Sequence, residues 1–288
     1  MSRPGIEREL MTRRGFLAAA ASLAASGAAG AATEKNLYAP FRMGVQSYSL
    51  RAFSAEQMLQ MTQTGLKLQY LEGFSQHFPI TADRKALDGY RALLRKYGIQ
   101  MRAYGVVNFT SDEADARRTF DFARAMDVRM LSAYPLPGTL DMLDRLVDEY
   151  RINIGIHNHG PGDALYDRID KVLKAITGHH QRIGVCIDTG HELRSDQDPV
   201  EAARIFGKRV YGIHLKDVRQ LPNGDRVFTE IGKGLLDTVG LLKVLKKNGF
   251  PGRGMLSLEY EDHADNPMPY MEQCLSATQA AVKTVNSA

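Results

Sequence analysis

Apolar positions along the chain fall into short runs of period two that alternate with longer stretches of period 3.6, the signature of strands and helices taken in turn. Residues 43–49 predict a first strand, and Ser54-Ala55-Glu56-Gln57 opens a helix to about Gly65 with a capping box. Residues 68–72 predict a second strand that ends on Glu72. Residues 83–97 then make a helix with Ala86, Leu87, Tyr90, Leu93 and Leu94 on one face, closed by Gly98. Residues 101–107 are the third strand, and Ser111-Asp112-Glu113 caps a helix that turns Ala116, Phe120, Phe122 and Ala123 inward. Strand four (128–133) and a helix at 139–150 lead to strand five (152–159), followed by a helix at 167–177. In strand six, Ile183, Val185 and Ile187 alternate with Gly184, Cys186 and Asp188, so the small residues and the carboxylate share the inner side. Asp198-Pro199 starts the next helix with Pro at its first position, and 210–217 is strand seven. A Pro222-Asn223-Gly224-Asp225 turn lies in a loop to Gly234; a helix at 239–248, strand eight at 255–261 and a helix from Met268 complete the chain.

Eight strand–helix units in this order predict a (β/α)8 TIM barrel, a single domain over residues 43–288. An open doubly wound sheet is the alternative, but the first strand lacks the glycine-rich phosphate turn of a dinucleotide fold, and Gly232-Lys233-Gly234 does not replace it. At 288 residues and 44% hydrophobic content the chain can fill one large core. Residues 1–31 stand apart: Thr12-Arg13-Arg14-Gly15-Phe16-Leu17 opens an Ala-rich run that closes at Ala29-Gly30-Ala31, which resembles a twin-arginine export signal. Residues 32–42 are then a linker, and the mature protein is expected in the periplasm or otherwise exported, with no stable membrane insertion after cleavage. An uncleaved amphipathic anchor is the other reading of that run. The signal carries +2 of the formal +4, which leaves no basic footprint for nucleic acid. Cys186 and Cys274 read as packing residues.

If the barrel closes, strands five to eight bring His157, His159, Asp188, His214 and Glu259 to one rim on inward positions. Singly, each has a structural reading: Asp188 as a helix cap, the strand-five histidines as hydrogen-bonded core residues, His214 and Glu259 as strand-end partners. Together they form a metal-ligand set, because two buried carboxylates on one rim repel unless a cation lies between them. Imidazole and carboxylate donors suit Mn²⁺, Co²⁺, Fe²⁺, Mg²⁺ or Zn²⁺, with Mn²⁺ favoured, over Ca²⁺.

The sequence resembles the xylose-isomerase-like barrels, the sugar phosphate isomerase/epimerase or AP endonuclease 2 group, in HNHGPGD at 157–163, DTGH at 188–191, HLKD at 214–217 and LEYE at 258–261. The resemblance implies a divalent metal held by Asp188, His214 and Glu259, with His157 as the fourth ligand where epimerases of the group usually carry a glutamate. A proton relay between two symmetric glutamates is therefore not carried over. His159 and Glu259 are the candidate proton carriers, with Glu72 and His191 as further catalytic candidates. Gln46, Tyr104, Tyr134, Lys216 and Glu261 are the candidate sugar contacts. The leading expectation is an isomerase or epimerase that removes a proton α to a carbonyl of a sugar or keto-sugar. The alternatives are a 3-keto-glycoside lyase with the same metal site and a non-catalytic sugar-binding barrel. A small-molecule sugar is the expected partner, nucleic acid is not, and a homo-oligomer is left open. No arginine cluster awaits a phosphate.

Overall fold

The two periodicities resolve into a closed parallel barrel. The computed structural model describes residues 36–287, so the stretch at 1–31 that resembles a twin-arginine signal, and the first part of the expected linker, lie outside the described residues. The strands are β1 (Met43–Gln46), β2 (Tyr70–Gly73), β3 (Gln100–Phe109), β4 (Met130–Pro135), β5 (Asn153–His157), β6 (Ile183–Asp188) and β7 (Val210–Leu215). A two-stranded antiparallel hairpin follows, β8 (Asp217–Gln220) and β9 (Arg226–Thr229), before β10 (Met255–Leu258) closes on β1. The helices are α1 (Ala55–Gln60), α2 (Arg84–Lys96), α3 (Glu113–Ala125), α4 (Leu140–Tyr150), α5 (Ile169–Ile176), α6 (Thr189–Arg194), α7 (Pro199–Phe206), α8 (Thr238–Lys247) and α9 (Met268–Ser287).

Local chemistry fixes the boundaries. Ser54 and Gln57 form the expected capping box of α1, Asp83 and Asp112 cap α2 and α3, and Asp198 with Pro199 starts α7. The first strand is shorter than expected: Gln46 accepts from Tyr48 N–H at 3.2 Å and turns the chain into a 3-10 segment over Ser47–Leu50. The seventh strand also stops early, at Leu215, because Asp217 leaves the barrel to begin β8. The stretch read as one loop to Gly234 therefore contains a hairpin around its turn.

Alternation along the strands separates two cores. Ile183, Val185 and Ile187 join the large layer between strands and helices, whereas Cys186 packs inside the barrel with Ala103, Met130, Tyr211 and Met255. Moving two residues along each strand reaches the next inward layer: Glu72 from Tyr70, Ser132 from Met130, Asp188 from Cys186 and Ser257 from Met255. All four are fully buried, so the interior changes from apolar to polar in one step toward the carboxyl mouth. Register sets the neighbours within that layer: Asp188 pairs with His214, and Ser257 with His214 on its other side.

Candidate metal centre

His157 ends β5, Asp188 ends β6, His214 is the fifth residue of β7, and Glu259 follows β10 directly. One donor atom from each lies within 4.8 Å of the others, and all four residues are buried. His157 Nε2, Asp188 Oδ2, His214 Nδ1 and Glu259 Oε2 make no hydrogen bond. They nonetheless converge, with His157 Nε2 at 3.3 Å from Asp188 Oδ2 and His214 Nδ1 at 2.9 Å from Glu259 Oε2. Buried polar atoms without hydrogen bonds are costly. The ammonium of Lys216, 2.9 Å from both Asp188 Oδ2 and Glu259 Oε2, already lies between the two carboxylates and offsets their repulsion. What points to a further ion is the donor set itself, two imidazole nitrogens and two carboxylate oxygens converging without hydrogen bonds, which fits a divalent transition ion.

The surroundings hold His157, Asp188 and Glu259 in ligand form and leave a proton on His214. Glu72 lies behind His214 and is sealed from solvent; His214 Nε2 donates to its Oε1 at 2.9 Å, and Ser132 and Ser257 donate to its two oxygens, the latter at 2.6 Å. Burial opposes the Glu72 charge, but His214 and the two hydroxyls hold its carboxyl below the usual range. With Nε2 committed to Glu72, Nδ1 of His214 is the atom turned toward the cluster. Burial also opposes charge on His214, yet Cys186, Glu72 and Glu259 raise it well above the ordinary histidine range, and a bound cation would displace that proton. Burial pushes His157 down to about 4 against the pull of Asp188, so it is neutral. Asp188 and Glu259 resist burial because His191 and Lys216 beside the first, and Lys216 and His214 beside the second, keep both carboxyls well below the usual range.

Asp188 serves two purposes. Its Oδ1 accepts from His191 N–H at 2.9 Å and caps α6, while its Oδ2 faces the cluster, so the helix-cap and metal-ligand readings use different oxygens of one carboxylate. Asn158, in the middle of HNH, braces this point: it accepts from Asp188 N–H at 2.7 Å and donates to Asp188 C=O at 3.1 Å. Thr189 ties α6 to the next strand by accepting from Lys216 N–H at 2.9 Å and donating to Lys216 C=O at 2.6 Å. Gly190 completes the motif, since a Cβ there would lie 2.7 Å from Lys216 Cβ and 2.8 Å from Phe228 Cε1.

Around this centre the other candidates divide. His159 stands just past β5 with its ring 4.9 Å from His157 and 5.1 Å from Tyr134, whose hydroxyl donates to Asp163 Oδ2 at 2.8 Å. His191 Nε2 is 4.0 Å from Asp188 Oδ2. Burial, then His191, lowers the His159 imidazole, and burial with Lys216 lowers His191 against the pull of Asp188. Lys216 Nζ lies 2.9 Å from Asp188 Oδ2, 2.9 Å from Glu259 Oε2 and against Glu261 Oε1; burial opposes its charge, but the three carboxylates hold it above the usual lysine range. Gln46 is buried and donates to Gly105 C=O at 3.1 Å. Tyr104 is not brought to the rim: it is fully buried, its hydroxyl donates to Phe78 C=O at 2.9 Å, and its ring packs on Phe122 of α3. Asp217 anchors the following loop by accepting from Gly232, Gly234 and Leu236 N–H groups at 2.9–3.1 Å. Phe228, on the hairpin, is a wall of the site missed in the sequence, with its ring 5.8 Å from His191.

A closed (β/α)8 barrel with a buried two-histidine, two-carboxylate cluster at its carboxyl mouth is the class that fold and site define. The chain belongs to the xylose isomerase-like TIM barrel family, whose model matches residues 64–280. It is similar to an inosose dehydratase of Clostridium botulinum (strain Eklund 17B / Type B), 29% identical over 146 residues, 46% of this chain and 48% of that protein. The chain thus spans about half the length of the curated relatives it matches. Among solved structures, a D-tagatose 3-epimerase-like protein superposes with a TM-score of 0.66 at 17% identity, covering 86% of this chain and 99% of that one. A crystal structure of IOLI protein with a zinc atom gives 0.63 at 17%, over 86% and 98%. At these identities both structures speak to the fold. Among the described residues no helix is long and apolar enough to cross a membrane.

Proposed function

We propose that the protein is a divalent-metal-dependent lyase acting on a keto-sugar, keto-glycoside or inosose. The observation that carries this reading is the four converging donor atoms flanked by two rim imidazoles, His159 and His191, and one held ammonium, Lys216. His157, Asp188, His214 and Glu259 would hold the ion. Bound there, it supplies Lewis acidity toward a carbonyl and an adjacent hydroxyl, which acidifies the C–H between them and the β-carbon. His159, lowered by burial and beside the cluster, takes the α-proton; its imidazolium then returns that proton to the oxygen leaving the β-carbon. The C–H and C–O bonds break, a C=C conjugated to the carbonyl forms, and water or an alcohol departs. Lys216 stays charged throughout and balances the negative charge that builds on the carbonyl oxygen.

Isomerisation or epimerisation shares the first step, but epimerisation needs a second base on the opposite face of the ring. The strand-five position supplies an imidazole committed to the cluster, Glu72 is sealed beneath His214, and the second rim imidazole, His191, has its ring 5.8 Å from that of His159. One imidazole suffices for elimination, which is the reading we favour. The name of the inosose dehydratase relative supports the same choice. Mn²⁺ is the ion we propose. Product analysis tests the reading: metal-loaded protein given a 3-keto-glycoside should release the aglycone and an unsaturated keto-sugar. A product of unchanged mass would establish the isomerase or epimerase instead, and binding with no solvent exchange of the α-proton would establish a sugar-binding barrel. We also propose export through Arg13-Arg14, on the strength of the paired arginines before the Ala-rich run.

A further inference from the structure

Beside the metal centre, between the HNHGPGD loop and the β8–β9 hairpin, runs a groove of about 560 Å³ lined by Pro161, Arg194, Asp196, Gln220, Asp225 and Arg226. That volume lies within the range of small-molecule sites. Most of its charges are already spent. Arg226 pairs with Asp196 at 2.6 Å and donates to Leu193 C=O, and Asp225 accepts from Asn223 at 2.7 Å. Arg194 is different: among the described residues it has no carboxylate within ion-pair distance and makes no hydrogen bond. Its guanidinium lies 5.2 Å over the ring of Phe228, which holds the plane while leaving the N–H fork free.

Position links this free fork to the chemistry. Phe228 carries Arg194 and also packs against His191. Gly160 closes the third side: a Cβ there would meet Arg194 Nη1 at 3.2 Å and His191 Nδ1 at 3.3 Å, and that nitrogen has no hydrogen-bond partner. A molecule lying across His191 would therefore reach the cluster with one end and Arg194 with the other. We propose that the groove is a second subsite, and that the substrate is a two-ring glycoside whose keto ring sits at the metal centre while its leaving ring, rich in oxygen acceptors, sits against Arg194 and Gln220.

This inference rests on the lyase reading for its substrate, so the experiment separates the two. With the Mn²⁺-loaded full chain, Arg194→Ala should raise KM for a 3-keto-disaccharide about tenfold, the size of one lost charged hydrogen bond, with kcat within about twofold. KM for methyl 3-keto-glucoside should be unaffected by the substitution, and Gln220→Ala, on the exposed hairpin strand, should follow the same split more weakly. Calorimetry with unoxidised trehalose and glucose repeats the comparison without chemistry: trehalose should bind more tightly than glucose in the wild type and lose that margin in Arg194→Ala. If neither keto-substrate is turned over, the lyase reading falls and calorimetry alone decides the groove. Equal effects of Arg194→Ala on one-ring and two-ring ligands, or none on either, would overturn the second subsite.

Discussion

Glu72→Gln tests whether the carboxylate behind His214 tunes a ligand. In the wild type a fully buried carboxylate accepts from His214 Nε2 at 2.9 Å and from Ser132 and Ser257, which commits the imidazole to present Nδ1 to the cluster. The amide has the same shape, and either serine hydroxyl can rotate to accept from its NH₂, so the barrel should fold. What disappears is the charge that makes the imidazole a stronger donor; loss of such a partner costs about 10–100-fold in metal affinity, or about 1.4–2.7 kcal/mol. Glu72 is held below its ordinary 4.5, so in the metal-free protein its contribution to stability is present above that pH and lost as pH falls. The glutamine variant should accordingly show a shallower acid-side fall in denaturation free energy. Mn²⁺ titration by calorimetry at pH 7.5 reads the affinity. An unchanged Kd would mean that His214 does not donate through Nδ1, and the geometry assigned to β7 would be wrong.

Glu192, on the buried side of α6, is pushed by burial and then by Asp188 up to about 8, and one of its oxygens has no partner. Its folded-state proton is retained where the unfolded chain releases it, so the stability involved is fully present below about 4.5 and lost as pH rises through about 8. Glu192→Gln should therefore be near neutral at pH 4.5 and more stable than wild type by about 2–4 kcal/mol at pH 8; a pH-independent difference in urea unfolding would refute this. His157→Ala should lose Mn²⁺, whereas His159→Ala should keep metal and ligand affinity and lose exchange of the α-proton with solvent; the reverse pattern would exchange the two roles. Arg13→Lys with Arg14→Lys should leave the precursor in the cytoplasm, and mature protein found outside a strain lacking the twin-arginine translocase would remove the export signal from the account.

The sequence carries the barrel and its mouth well because the inner residues of β5 to β7 are small up to the point where ligands begin: Gly155, Cys186 and Gly212 each stand two before His157, Asp188 and His214. Strand three was harder. Ala103 faces the interior, so Tyr104 faces the helices, and a register shift after Tyr104 breaks any count carried along the strand. The hairpin is not legible in the sequence because four-residue strands around a Pro-Asn-Gly-Asp turn carry too few alternations to stand out from a loop. Asp188 looked like a choice between cap and ligand because the sequence does not show that its two oxygens are used separately. Asn158 and Thr189 lie inside the HNH and DTGH motifs, yet their work is backbone bracing across strands, which only the register reveals.

His157, Asp188, His214 and Glu259 converge as the candidate metal centre. Metal analysis of purified wild type beside Asp188→Asn and Glu259→Gln, each checked by circular dichroism, tests it most directly. Wild type should carry one tightly held divalent ion per chain and neither variant any, with the barrel spectrum retained in all three. Equal metal content in the wild type and both variants would contradict it.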